Sequence, residues 1–172
     1  MTAPTGFLWR PYTDLRTAIS GSSTFQAWVG VADAAAALAK IRMYEDRTDL
    51  HSDAKYAVVL PPDTIAAELT KTSGMGNGGL AAYDWTRAVM VGFLWELTEA
   101  ELGAGNTDYS EANITSFLST AGAIINDLLT ADAMAMARTV TVMPLTGEAR
   151  GLRWREGEHN GYQVFFIVQL GT

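Results

Sequence analysis

The chain has no cysteine and only two histidines among its 172 residues. The first absence excludes disulfide staples, thiolate nucleophiles and every cysteine-based metal site. The second leaves too few imidazoles for a histidine-rich metal centre. Basic residues are also scarce, with 12 Lys and Arg against 19 Asp and Glu, a net charge of −7. A phosphate backbone is held by clustered cations, so tight nucleic-acid binding is not expected. The one basic bunch, Arg150, Arg153 and Arg155, is interleaved with Glu148, Glu156 and Glu158 and reads as a salt-bridged hairpin. No stretch reaches the roughly 18 apolar residues of a membrane-spanning helix. The opening MTAPTGFLWRPYTDLR shows no charged leader ahead of an apolar core. Synthesis in the cytoplasm, with no membrane anchor, is the expectation.

What the chain does contain is organised around TRAVMVGFLWEL, Thr86 to Leu97. Successive strand residues point to opposite faces, so one face carries Val89, Val91, Phe93, Trp95 and Leu97 and the other Ala88, Met90, Gly92 and Leu94. Both are apolar, as in a central strand. Leaving the bulkier face in water would forgo about 8 to 15 kcal/mol over its five large side chains, as much as a domain's net stability. Each face therefore needs cover, from this chain's own helices or from a neighbouring subunit.

The remaining elements follow from period and punctuation. The length suits a single domain over 1–172, with an irregular arm at 1–12 around Phe7, Leu8 and Trp9. Thr13 as N-cap and Gly21 as stop delimit a short helix. Apolar residues then recur near helical spacing at Phe25, Trp28, Val29, Ala32, Ala36, Ala39 and Met43, with Gly30 as a possible break. Tyr56 to Leu60 reads as a strand stopped by Pro61 and Pro62. Asp63 to Thr72 fits either a helical turn or two or an extended strand. Four glycines between Gly74 and Gly79 signal a flexible loop.

Asp108 or Ser110 can cap the clearest helix, Glu111 to Thr130. Its apolar stripe is Ile114, Phe117, Leu118, Ala121, Ile125, Leu128 and Leu129. Arg138 to Leu145 and Tyr162 to Leu170 alternate as strands, with Thr146-Gly147 and Asn160-Gly161 as turn chemistry within a long C-terminal hairpin. The order helix, strand, strand, helix, strand, strand predicts an α+β fold. Its sheet is mixed, mainly antiparallel and of about four strands, with helices packed on one side.

Chemical motifs are weak. SGMGNGG lacks the Lys-Ser or Lys-Thr of a phosphate loop. Asp46, Asp49, His51 and Asp53 lack the glycine and closing glutamate of a calcium loop. There is no G-x-S-x-G elbow, His159 sits in the turn EGEHNG, and Glu96, Glu99 and Glu101 read as the polar end of the central strand. No enzyme activity, cofactor or metal is expected. Aromatics are better represented, with five tryptophans and six tyrosines, residue types that bury large area at interfaces. Trp9, Trp28, Trp85 and Trp154 fall near element ends or in loops, either capping their own core edge or meeting a partner. Trp154, flanked by Arg153 and Arg155, is the strongest interface candidate of the set.

Taken together, the segment FQAWVG, the strand and stop KYAVVLPPD, the glycine-rich loop, TRAVMVGFLWEL, the helix NITSFLSTAGAIINDLL and the closing pair RTVTVMPL and GYQVFFIVQL form a recognisable order of elements. In that order the chain resembles the tail terminator proteins of long-tailed bacteriophages. The resemblance implies a virion subunit, typically of a hexameric ring, that caps the tail tube, ends its growth and meets the neck or head-completion protein. DNA would pass through the ring's lumen, where an acidic surface discourages sticking. Another head–tail connector, or a neck or tail-completion protein, is the alternative. A small ligand-binding or hydrolytic α/β domain using the glycine loop is a further one.

Overall fold

The computed structural model describes residues 10–42, 54–60, 67–72, 82–98, 101, 110–131, 139–144, 152–156 and 159–171. Among the described residues, four helices, α1 (Arg10–Gly21), α2 (Ser23–Val29), α3 (Ala34–Leu38) and α4 (Glu111–Thr130), accompany seven strands. The strands are β1 (Ile41–Arg42), β2 (Lys55–Leu60), β3 (Ala67–Thr72), β4 (Ala82–Glu96), β5 (Thr139–Pro144), β6 (Arg153–Glu156) and β7 (His159–Gly171). They form one open sheet in the order β1-β2-β4-β7-β5, with β3 also on β4 and β6 also on β7. Among the described residues only β1 with β2 is parallel, and every other pair is antiparallel. This is the α+β architecture expected from the order of elements.

Two long strands, β4 and β7, form the centre, paired from Thr86 opposite Gly171 to Glu96 opposite Gly161. Each is flanked on its outer edge by two shorter strands laid end to end. β2 covers Met90 to Trp95 of β4, and β3 covers Ala82 to Arg87. β5 covers Phe166 to Gly171 of β7, and β6 covers His159 to Tyr162. Prolines 61 and 62, which cannot donate to a ladder, fall in the chain between β2 and β3. Of the ambiguous stretch before the glycine-rich loop, Ala67–Thr72 is extended, because β4 begins four residues earlier than Thr86 and offers it a partner, and residues 63–66 lie outside the described residues.

The two-faced pattern of β4 corresponds to two apolar clusters. On one face Val89, Val91, Phe93, Trp95 and Leu97 pack with Ala57, Val59, Tyr162 and Val168 beneath the four helices. On the other, Met90 and Leu94 pack with Tyr56, Val58, Leu60 and Phe165. Every one of these β4 side chains is at most 7% exposed within the single chain. Cover is therefore complete from Val89 to Leu97 without a neighbour, and an uncovered ribbon no longer argues for assembly.

Several sequence expectations shift. α1 starts at Arg10, with Pro11 in its first turn, where a missing N–H costs nothing. Thr13 and Asp14 are consequently interior, and the N-terminal arm ends before residue 12. Gly30 does break the next segment, capping α2 in the left-handed region at φ 73°. The change of direction resets the helical phase, so Ala37 is buried and Ala32, Ala36 and Ala39 are exposed. Asp33 caps α3, its side chain accepting from the Ala36 amide at 2.8 Å. Ile41 and Arg42 then turn into β1 instead of prolonging the helix.

In α4, Ser110 is the cap, its side chain accepting from the Asn113 amide at 3.1 Å. The buried arc is Phe117, Ala121, Ile124, Ile125 and Leu128. It is rotated from the expected stripe, leaving Leu118 and Leu129 exposed at 43% and 44%. Glu156 lies opposite His159, so Asn160 and Gly161 are within β7 and His159 begins that strand. The Asn-Gly pair is therefore not the turn that precedes β7. Thr146-Gly147 lies outside the described residues.

Candidate functional site

The aromatic residues meet between helices and sheet. Trp28, at the end of α2, has its ring centroid 6.0 Å from Phe25, 6.2 Å from Phe93 in an edge-on contact and 6.1 Å from Phe117. Phe117 in turn stacks on Tyr162 at 5.8 Å and meets Trp95 at 6.3 Å. Such offset and edge-to-face pairs add about 0.5 to 1.5 kcal/mol each beyond burial. Half-buried Trp28 therefore joins α2 and α4 to β4, and most of its apolar contact lies within its own chain. Trp95 carries the Lys55 ammonium 4.7 Å from its ring centroid, a cation–π contact at the start of β2.

The other interface candidates are placed by backbone register and are not brought together. Trp85 lies opposite Leu69 in the β3–β4 ribbon. That ribbon extends past the last rung of β7, since Gly171 already faces Thr86. Arg153, Trp154 and Arg155 lie opposite Tyr162, Gly161 and Asn160 in the β6–β7 hairpin, at the other end of the sheet. Gly161 faces Glu96, so Trp85 and Trp154 are separated by roughly 36 Å along the strand direction at about 3.3 Å per residue. Trp9 lies outside the described residues, as do the glycine-rich loop, Glu99, Asp46, Asp49, His51 and Asp53. Of the carboxylates after the central strand, Glu101 is engaged locally. One of its oxygens accepts from the Thr98 amide at 2.8 Å and hydroxyl at 2.9 Å, while its own amide donates to the Thr98 carbonyl.

A second locus was not singled out from sequence. Ser22 is the N-cap of α2 and accepts from the Phe25 amide at 3.1 Å. Its hydroxyl donates to Asp127 Oδ2 at 2.6 Å. Ser22 first, then Thr24, holds the Asp127 carboxyl below the ordinary value of 3.8, against a smaller opposing effect of burial. The α4 carboxylate thus ties α2 to α4. It also borders a cleft of about 490 Å³ whose walls include Thr17, Gly21, Ser22, Ser23 and Thr130. The sequence held one clue. Asp127 stands in the last turn of α4, where a negative charge opposes the helix dipole, a position that calls for an external donor.

Among the described residues no group of three His, Cys, Asp or Glu side chains could hold a metal ion. No described helix is long and apolar enough to cross a membrane. No protein-family model matches the chain, and no curated protein matches it either.

Proposed function

We propose that this chain is a virion structural protein similar to phage tail terminators, a subunit of a ring that caps the tail tube, ends its growth and joins the tail to the neck. The observation that supports the reading is the two-ended sheet. A β3–β4 ribbon projects past β7 at one end and the β6–β7 hairpin flanks the other, two separate ends at which attachment would take place in this reading. A joining protein has to touch a tube on one side and a neck on the other. Helix–sheet packing and the order of elements agree with the same resemblance. The acidic balance of −7 suits a lumen that DNA passes without adhering. In this reading the protein works by occupying space and no covalent step is assigned to it. Self-association is head to tail, because ring closure requires two different patches on each subunit, and a hexamer is the size the resemblance implies.

Electron microscopy of particles assembled without this protein tests the reading. Overlong tail tubes are the expected result. Tails of normal length detached from heads would move the protein to a neck or tail-completion role. A purified chain that stays monomeric and ignores tube ends would overturn both.

A further inference from the structure

The buried arc of α4 leaves the opposite side of the helix in solvent, and that side carries an apolar ridge. Leu118 and Leu129 are 43% and 44% exposed, and Gly122 between them is exposed as well. At about 100° of rotation per residue, Leu129 lies about 20° from Leu118 around the axis and Gly122 about 40°, so the three stand nearly in one line. Thr115 and Asn126, both exposed, flank it. No charged residue occurs from Ala112 to Asn126, and Asp127, which follows, is bonded to Ser22 of α2.

A lone exposed leucine is ordinary on a protein surface. Gly122 is what the single chain leaves unexplained. In a helix interior glycine is less stable than alanine, yet its backbone here is plain α-helix. A Cβ built on it meets no atom of the described residues within 4 Å. Close approach by a second backbone does call for glycine.

We propose that this ridge is a two-fold docking surface for α4 of a second copy of the chain, running antiparallel. Leu118 and Leu129 are equidistant from the point between Ala123 and Ile124, about 8 Å to either side at about 1.5 Å per residue. A two-fold axis there sets Leu118 of each copy against Leu129 of the other, and Gly122 against Ile125, the self-complementary pattern of an isologous contact. Gly122 lets the two axes reach the near end of the usual separation of roughly 8 to 10 Å. Charge selects the occupant. Two copies of net charge −7 repel least where neither carries a charge, whereas a basic partner finds no carboxylate between Ala112 and Asn126. Area sets the strength. A helix about 30 Å long and 10 Å across buries at most about 1,000 Å² over both copies, under the roughly 1,200 Å² at which stable interfaces begin. The contact is therefore weak and transient. Being isologous, it is distinct from the head-to-tail contact of a ring and does not rest on the tail-terminator reading.

Sedimentation equilibrium of the full chain from about 10 μM to about 1 mM tests the contact, with a monomer–dimer Kd of about 100 μM expected. Leu118→Lys places like charges in the contact and should raise that Kd at least about tenfold, with the Tm of the dilute chain moved by no more than about 1 °C because the position is exposed. Gly122→Ala should act in opposite directions on the two readouts, raising the dilute Tm by about 1 to 4 °C while weakening association about tenfold. Since the chain has no cysteine, Leu118→Cys and Leu129→Cys variants report direction. Mixed and oxidised, they should form the disulfide between positions 118 and 129 at least about fivefold over either homodimer, whose like positions lie about 16 Å apart along antiparallel helices. A chain that stays monomeric over the range, homodimer disulfides in excess, or oligomers that both Leu118→Lys and Gly122→Ala leave unchanged would overturn the proposal.

Discussion

Replacing Gly92 by alanine tests how tightly the sheet's second face is closed. Gly92 lies on β4 between Val58 of β2 and Phe165 of β7, directly opposite both. A Cβ there would stand 2.6 Å from Phe165 Cδ1 and 2.8 Å from Val58 Cγ2, where carbon atoms prefer about 3.5 to 4.0 Å. Both neighbours are buried, at 3% and 0% exposure, so neither ring nor isopropyl group can swing into solvent. Overpacking of this kind costs about 1 to 3 kcal/mol, and an off-rotamer phenyl adds roughly 0.5 to 1.5 kcal/mol. The lost glycine flexibility returns about 0.5 to 1 kcal/mol. The net expectation is a destabilisation centred on about 2 kcal/mol, or a Tm lower by roughly 4 to 8 °C for a chain of this size.

Urea unfolding followed by tryptophan fluorescence gives the first number and calorimetry the second. Phe165→Leu should relieve much of the clash, so the double variant should be less destabilised than the two single changes summed, by at least about 1 kcal/mol. A Gly92→Ala protein within about 0.5 kcal/mol of the parent, or strictly additive variants, would mean that Phe165 does not close over the glycine.

Trp28→Ala should lower stability by about 2 to 4 kcal/mol, because the ring joins Phe25, Phe93 and Phe117. A change confined to assembly, with the unfolding midpoint unmoved, would assign the tryptophan to an interface instead. Asp127 has a folded pKa below its ordinary value, so the unfolded chain binds the proton first as pH falls. Its contribution is therefore fully present above about pH 4 and is lost as pH falls through the lower folded value. The urea midpoint of Asp127→Asn should consequently fall less steeply than the parent's over that acid range, and parallel curves would refute the tie to Ser22 and Thr24.

The parts legible in the sequence were those fixed by local period. Alternation from Val89 to Leu97 sorts its side chains to the two faces on which they are found, because a strand's period of two admits no drift. The stripe on α4 was legible only to within a rotation. Seven apolar residues span more arc than the sheet can cover, and Leu118 and Leu129 lie at its margin while Ile124 is central. Non-local pairing hid the rest. Ala67–Thr72 has no decisive propensity and is a strand because Ala82 to Arg87 lies beside it. Ser22 and Asp127 are 105 positions apart, and no spacing rule connects them. Residue type marks the tryptophans as interface candidates and says nothing about where the topology puts them. Trp28 is in the core margin, and Trp85 and Trp154 are at opposite ends.

Burial of both faces of β4 from Val89 to Leu97 leaves the ends of the sheet as the places where the proposed assembly would act, and hydrogen exchange tests this. From Met90 to Trp95, β4 lies between β2 and β7, but from Ala82 to Trp85 its only ladder partner among the described residues is β3. A two-stranded ribbon is marginally stable in water by itself, so its opening costs far less than global unfolding. In the isolated chain the amides of residues 82–85 should exchange at least about 100-fold faster than those of residues 90–95, a gap of roughly 3 kcal/mol in opening free energy. If these residues form one of the two attachment elements, binding a tube end or another copy should slow their exchange and leave residues 90–95 unchanged, since the latter are already closed on both sides. Equal protection of the two segments in the isolated chain would show that the ribbon is held as firmly as the centre. The sheet would then have no labile end for a partner to order.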